Sequence, residues 1–459
     1  MKTLIDGAQI ESALQKLEVG SVEELSIRQL VSLVKLFEKE CGEEFIHFEI
    51  GVPGLPASQV GIEAQKEALD GGVASVYPAL EGEPALKQAA SKFIRAIIGA
   101  DVAPSHCIPT VGSMQGTFAT LMAVSALDSK KDTILYIDPG FPVQKNQADV
   151  LGIRREAFDL YDYRAEKLGP KLEEYLSTGR IAAILYSNPN NPTWMCLTDD
   201  ELRTIGEMAN KYEAVVIEDL AYITMDFRKG LNPATGLPTQ VSVTPYANDY
   251  VLLMSGSKIF SYAGERIAVA AFSDHLFNRK SESLRQRYGL PSFGNVFVHK
   301  LIYTLSSGVS HSAQMALARM MDQAAEGIYN YRDEVREYAL RTERIREILT
   351  RHGFHIVYDK DVDEPVGNGF FFTIGYKDMT GGELLGNLLR CGVSGIVLTT
   401  TGADREGIRA CSSAIKPHHY ELLDQRLGMF EELIRGSPPQ ARPPRVGVPA
   451  TESRRAINQ

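Results

Sequence analysis

Five short apolar runs recur through the middle of the chain, at Thr133–Ile137, Ile181–Tyr186, Ala214–Ile217, Tyr250–Met254 and Ile267–Phe272, each followed by turn residues and then a helical pattern. Strands alternating with helices pack as α/β layers, because each strand is covered by the helices that link it to the next. Several of the runs lack alternation of apolar and polar residues, as strands do when a mostly parallel sheet is buried on both faces. The rhythm predicts an α/β protein with a three-layer large domain over about residues 61–320.

Flanking patterns differ. Ile27, Leu30, Val31, Val34 and Phe37 form a helical stripe that Gly42 ends, which places an N-terminal helix in the segment 1–60. Beyond Gln323 one long helix, Ala324–Arg351, leads to short strands at His355–Tyr358, Gly369–Ile374 and Gly395–Leu398, so a smaller α+β unit is expected over 321–436. Residues 437–459 are rich in Pro and Arg without apolar periodicity and read as a flexible tail.

Charge and cysteines narrow the function. Among 459 residues, Lys and Arg number 48 against 58 Asp and Glu, and a net charge of −10 argues against a nucleic-acid binder. Cys41, Cys107, Cys196, Cys391 and Cys411 form no CxxC pair, and an odd, scattered set makes a poor disulfide framework. The first ten residues lack the apolar core of a signal peptide and no later run is long enough to span a bilayer, so a cytoplasmic, membrane-free protein is expected.

In an open α/β sheet ligands bind beyond the carboxyl ends of the strands, so the residues just after each run are where chemistry belongs. Gly112-Ser113-Met114-Gln115-Gly116 can offer backbone N–H groups to a phosphate at a helix start. Asp138-Pro139-Gly140-Phe141 supplies an aromatic plate, Asn188–Thr193 a directed amide at Asn191, and Glu218–Tyr222 a carboxylate, Asp219, with a phenol three residues on. Ser255-Gly256-Ser257-Lys258 places a lysine beside two hydroxyls, with Arg266 eight residues later. Each has an ordinary reading alone: a Pro/Asn turn, a capping Asp, a packed Phe, a solvated Lys. Together they match the needs of pyridoxal phosphate: a lysine for its Schiff base, an acid for the pyridine nitrogen, donors to the ring oxygen, a ring to stack on and an anion site.

The motifs FEIGVP, YPALEGEPALK, TVGSMQG, DPGF, SNPNNPT, EDLAY, SGSK with Arg266, and GIRACSS follow one another from Phe48 to Ser413. In that order the chain resembles the fold-type I pyridoxal-phosphate enzymes of the class I/II aminotransferase family. The resemblance implies that Lys258 forms the Schiff base and shuttles the substrate proton, that Asp219 protonates the pyridine nitrogen, and that Tyr222 and Asn191 bond the ring oxygen. It gives Phe141 the stacking role and the phosphate to Ser113, the Met114 backbone, Ser255, Ser257 and Arg266, with Tyr77 reaching the phosphate of a neighbouring subunit. Arg409 would take the substrate α-carboxylate with the Gly51 region closing over it. A small domain built from both chain ends and a homodimer with shared active sites are implied too.

The implied reaction moves an amino group between an L-amino acid and a 2-oxo acid in a ping-pong cycle. The same first steps serve a carbon–sulfur β-lyase, which is the alternative. A serine acyl-enzyme is disfavoured, because Ser255 and Lys258 have the SxxK spacing without the SDN or KTG partners. A DNA-binding regulator is disfavoured by the short, acidic N-terminal segment. Two residues depart from the family: Trp194, the only Trp, and Ala268 stand where Gly is usual. Trp194 reads as a filler of the large domain or as a wall that narrows the pocket. No metal site is expected, since His418 and His419 have no ligand partners at useful spacing, and Cys391 and Cys411 read as buried small hydrophobes.

Overall fold

The computed structural model describes residues 3–436, and the expected tail at 437–459 lies outside the described residues. Seven strands build the main sheet: β1 Cys107–Val111, β2 Thr133–Asp138, β3 Arg154–Asp159, β4 Ile181–Ser187, β5 Val215–Asp219, β6 Tyr250–Ser255 and β7 Ile267–Phe272. Their order is β1-β7-β6-β5-β4-β2-β3. Strands β2 to β6 pair in parallel, and β7 runs antiparallel to both neighbours. Every residue of β2, β4, β5, β6 and β7 is buried. Leu135, Ile184, Val216 and Leu252 pack into one helical layer, and Ile134, Ala183, Val215 and Val251 into the other. The unalternating sequence runs thus reflect two buried faces, and each large side chain so buried contributes about 1.5–3 kcal/mol.

The second unit centres on an antiparallel sheet of β8 Phe354–Ile356, β9 Phe371–Tyr376, β10 Ile396–Val397 and β11 Ile408–Cys411, in the order β10-β11-β9-β8. The chain's first segment joins it. Ile46–His47 pairs with Val393–Ser394, and residues from Ile5 to Phe48 share one apolar core with residues from Ile345 to Leu433. Helix Ile27–Cys41 lies in that core; a reciprocal Ser26–Gln29 cap opens it, and Gly42, at φ +71°, ends it.

The single long helix expected over Ala324–Arg351 is not formed. Helix His311–Ala325 stops at a turn in which Gly327, at φ +73°, donates to Ala324 and Ile328 to Gln323, and the chain resumes as Tyr331–Val335 and Glu337–Arg351. A charged, helix-favouring composition hid a break that one left-handed glycine imposes. Tyr331, Val335, Tyr338 and Phe370 then pack into the core beneath the large sheet. No helix among the described residues is long and apolar enough to cross a membrane.

Polar ties close the seam between the units at the ends of β2 and β3. Lys145 donates to Asp138 Oδ2 at 2.5 Å and to the Thr401 carbonyl at 2.9 Å. Asp159 accepts the Tyr358 hydroxyl and the Asp404 N–H. Gly402 lies so near that a Cβ there would meet Asp138 Oδ2 at 2.1 Å.

Candidate active site

Register aligns the strand ends. Ser187 of β4 pairs with Asp219 of β5, Asp219 with Leu253 of β6, and Ser255 of β6 with Ala268 of β7, so the turns that follow open on the same sheet edge. Ala268 is fully buried there, its methyl group accommodated in the core. Asn190 Nδ2 donates to the Pro139 carbonyl at 2.9 Å, joining the turn after β4 to the turn after β2, and the Asn191 N–H donates to Ser187 Oγ. Asn191, Asp219 and Tyr222 are buried at this edge, and Phe141 is half-buried at the start of helix Pro142–Leu151.

Lys258 is the third residue of the short helix Gly256–Ile259 that follows β6, its ammonium donating to the Gly51 carbonyl and lying 4.7 Å from the centre of the Phe370 ring. Burial pushes it down to about 8; Cys411 works against the shift, and the charges of Arg409 and Arg266 add to it. At a value of about 8, roughly a tenth of the amine is neutral at pH 7, against well under a thousandth at its ordinary value of 10.5, and the neutral amine is the nucleophile. Asp219 moves the other way. Burial raises its carboxyl to about 6, against the Ala221 N–H and the Gln144 amide, which donates to Oδ2 at 2.8 Å. A buried carboxylate held by two neutral donors is stabilised by any cation that enters beside it. Tyr222 is pushed well above its ordinary value by burial, so its phenol keeps its proton and can donate.

An anion cradle forms at the start of helix Gly112–Val124, whose first N–H groups belong to Gly112, Ser113 and Met114. Arg266 lies against it: a Cβ on Gly112, at φ +67°, would meet Arg266 Nη2 at 2.6 Å. Arg266 reaches Ser257 Oγ at 3.5 Å and the Ala263 carbonyl at 2.8 Å, while Ser255 Oγ caps the next turn by accepting the Ser257 N–H. Helix dipole, guanidinium and hydroxyl groups converge as a phosphate monoester requires.

Arg409, on β11, is buried over the Phe371 ring with its guanidinium carbon 4.7 Å from the ring centre. Nη2 donates to the Glu49 carbonyl at 2.7 Å, yet Nε is buried without a partner. Gly51 fits between these groups, since a Cβ there would stand 3.4 Å from Phe371 and 3.9 Å from Arg409 Nη2. An unpaired buried guanidinium N–H beside a glycine is a place for a carboxylate. Tyr77 is 89% exposed and stands apart from this buried set.

Several contributors carry no sequence signal. Gln144 lies three residues after Phe141 on a helix whose inward face could have been projected, but nothing in its type marks it. Phe370 and Phe371 read as ordinary core, and Glu49 acts through its backbone. Trp194 is wholly buried, 5.4 Å from Tyr222 ring to ring. Glu44, remote in sequence, meets His418 and His419. The expectation that the two histidines lack a ligand partner therefore does not hold, since Glu44 stands with them; His419 Nδ1 accepts the Lys416 N–H, so Nε2 carries the proton and donates to Glu44. Cys391 and Cys411 are buried free thiols.

The sequence model of the family "Aminotransferase class I and II" matches residues 43–362. A protein described as a probable aspartate aminotransferase from Methanocaldococcus jannaschii is 23% identical over 396 residues, covering 85% of this chain and 93% of that protein. An LL-diaminopimelate aminotransferase from Natranaerobius thermophilus is 25% identical over 72% of this chain and 78% of its own length. Among solved structures, an aspartate aminotransferase double mutant from Thermus thermophilus superposes with a TM-score of 0.71 at 17% identity, over 94% of this chain and 99% of that one.

Proposed function

This chain belongs to the class I and II aminotransferase family and is an aminotransferase; from that premise we propose that it holds pyridoxal 5′-phosphate on Lys258 and exchanges an amino group between an L-amino acid and a 2-oxo acid. The observation that carries this reading is the gathering at one sheet edge of Lys258, buried against the Gly51 carbonyl and the Phe370 ring, and Asp219, a buried carboxyl bonded among the described residues only by the Gln144 amide and the Ala221 N–H. A protonated pyridine nitrogen beside Asp219 would supply the cation that this buried carboxyl lacks and bring it back to the carboxylate form, while the Lys258 amine, which burial makes easier to deprotonate, is the one able to form a Schiff base.

When bound, the cofactor supplies an electron sink for the electron pair left at the substrate α-carbon. The residues do the rest. Asp219, kept in place by Gln144 and the Ala221 N–H, takes the position facing the pyridine nitrogen, and Tyr222 and Asn191 donate towards the ring oxygen. Ser113, Met114, Ser255, Ser257 and Arg266 hold the phosphate, and Phe141 covers the ring. Arg409 holds the substrate carboxylate, with the open side at Gly51 letting it approach. Lys258, with its amine between Gly51 and Phe370, moves the proton from the substrate α-carbon as general base and returns it as general acid. The assembly is a homodimer in which Tyr77 reaches the partner's phosphate, a role for which its exposed ring is free.

The test is a titration of the purified protein with pyridoxal phosphate followed by absorbance, then a panel of amino acids. The expected result is a lysine-bound cofactor band that Lys258→Ala lacks, converted by at least one amino acid to the aminated cofactor. A Lys258→Ala protein with the wild-type band would refute the assignment.

A further inference from the structure

Gly369, Phe370 and Phe371 form a short run at the mouth of β9, and each touches a different part of the site. Phe370 lies under the Lys258 ammonium, and Phe371 lies under the Arg409 guanidinium and against Gly51. Gly369 lies on Trp194: a Cβ there would stand 1.9 Å from Cε2, 2.1 Å from Cζ2 and 2.3 Å from Nε1 of the indole. The two residues therefore interlock, and only a hydrogen at 369 leaves room for the indole.

Trp194 reaches both units. It meets Tyr222, on the large-domain side, at 5.4 Å and Phe371, on the small-domain side, at 6.5 Å, both edge to face, while Tyr222 meets Phe371 at 5.5 Å. From below, Gly369 is pinned by Thr342 and Ser412, whose hydroxyls donate to its carbonyl at 2.6 Å and 3.1 Å. Ser412 follows directly on the strand that carries Arg409. The indole is also held against its preferences: its backbone is left-handed at φ +65°, and its buried Nε1 has no partner. Strain of this kind persists where the surrounding structure fixes it and function uses it.

We propose that Trp194 is a positioning residue for substrate binding: wedged on Gly369, it sets Phe371 and through it the guanidinium of Arg409 relative to Tyr222. The inference rests on Arg409 as the partner of the substrate carboxylate. The effect of Trp194 passes through the ring of Phe371.

The experiment uses protein loaded with pyridoxal phosphate and titrates acetate, which carries a carboxylate and no reacting group. Binding is read by cofactor absorbance in all variants and by indole emission in the wild type, where the only Trp reports from this position. Trp194→Gly is expected to weaken acetate at least tenfold and to raise KM for the amino acid more than it lowers kcat, with cofactor affinity within threefold of wild type. Trp194→Phe, which retains a ring, should recover acetate binding to within threefold. Gly369→Ala should weaken acetate as well, and the double variant Trp194→Gly/Gly369→Ala should be no worse than Trp194→Gly, because the clash has lost its partner. Unchanged acetate binding in Trp194→Gly, equal loss of cofactor and acetate, or losses that simply add in the double variant would overturn the proposal. Arg409→Gln separates the two readings: if it loses acetate while Trp194→Gly does not, this proposal alone fails, and if it binds acetate normally, both fail.

Discussion

Asp219 should destabilise the cofactor-free protein, and replacing it by Asn should raise the melting temperature while abolishing the function. Its folded carboxyl stands at about 6, against an ordinary value of 3.8. A carboxyl whose folded value is raised binds its proton more tightly folded than unfolded, so stability falls as pH rises from the unfolded value to the folded one. The full cost, about 2.2 units at ~1.4 kcal/mol per unit, is about 3 kcal/mol and is present above pH 6. Asn keeps the bond from the Ala221 N–H through its Oδ1, and the Gln144 amide can turn its oxygen toward the new Nδ2, so charge is removed with little loss of hydrogen bonding. Unfolding entropy for a chain this long is on the order of 1 kcal/mol per kelvin, which converts the gain to about 3 °C. Scanning calorimetry of cofactor-free wild type and Asp219→Asn at fixed protein concentration, from pH 4 to pH 8, measures it. The difference should be absent near pH 4, grow through pH 6 and then stay constant. Pyridoxal phosphate should reverse the ranking, since only the carboxylate gains from a protonated ring nitrogen. A variant that melts lower at pH 8, or a gain already present at pH 4, would show that Asp219 is satisfied in place and that the electrostatic argument for the cofactor is wrong.

Two further perturbations probe the frame of the site. Gly112→Ala puts a Cβ 2.6 Å from Arg266 Nη2 and forces a left-handed alanine; it should weaken pyridoxal phosphate at least tenfold and cost about 1–2 kcal/mol of stability, both read from one cofactor titration and one melt. Lys145→Met strands the buried Asp138 carboxylate at the seam with Thr401 and should destabilise by about 3–5 kcal/mol at pH 8. Burial already raises that carboxyl to about 7, so the loss should shrink at pH 5, where Asp138 takes up a proton, and Asp138→Asn in the same chain should recover most of it. A loss independent of pH would place the effect in packing instead of charge.

Five of the seven strands of the large sheet were legible because they announce themselves locally; Cys107–Val111 and the largely exposed Arg154–Asp159 carry no such run. A fully buried parallel strand must be apolar throughout, and Ile267–Phe272 is found with the bounds the sequence predicts. The helix Ile27–Cys41 was equally legible from its stripe and Gly42. What failed was the reading of Ala324–Arg351, where propensity summed over many residues outweighed Gly327. Three strands of the small sheet were displaced by one to two residues, as at Phe354–Ile356, and the fourth, Ile408–Cys411, was not predicted, because short antiparallel strands take their limits from partners and not from their own composition.

The site divides along the same line. Residues that follow a strand in sequence, such as Asp219 and Lys258, inherit their place from the sheet, so their types and order were enough to find them. Residues that act from another segment were invisible: Gln144 under Asp219, the Glu49 carbonyl on Arg409, and Gly369 beneath Trp194 are joined by folding alone. Trp194 shows why the distinction matters for chemistry. Its sequence position marked it as a departure in the large domain, but the space it fills is bounded by Gly369 and Phe371 of the other unit, next to the guanidinium proposed to hold the substrate carboxylate. A tryptophan at this strand end is therefore compatible with the chain only where a glycine stands at a position distant in sequence. The strand-end motifs identify the family, and the fit of Trp194 against Gly369 and Phe371 is a feature they do not contain, because it arises between segments that only folding brings together.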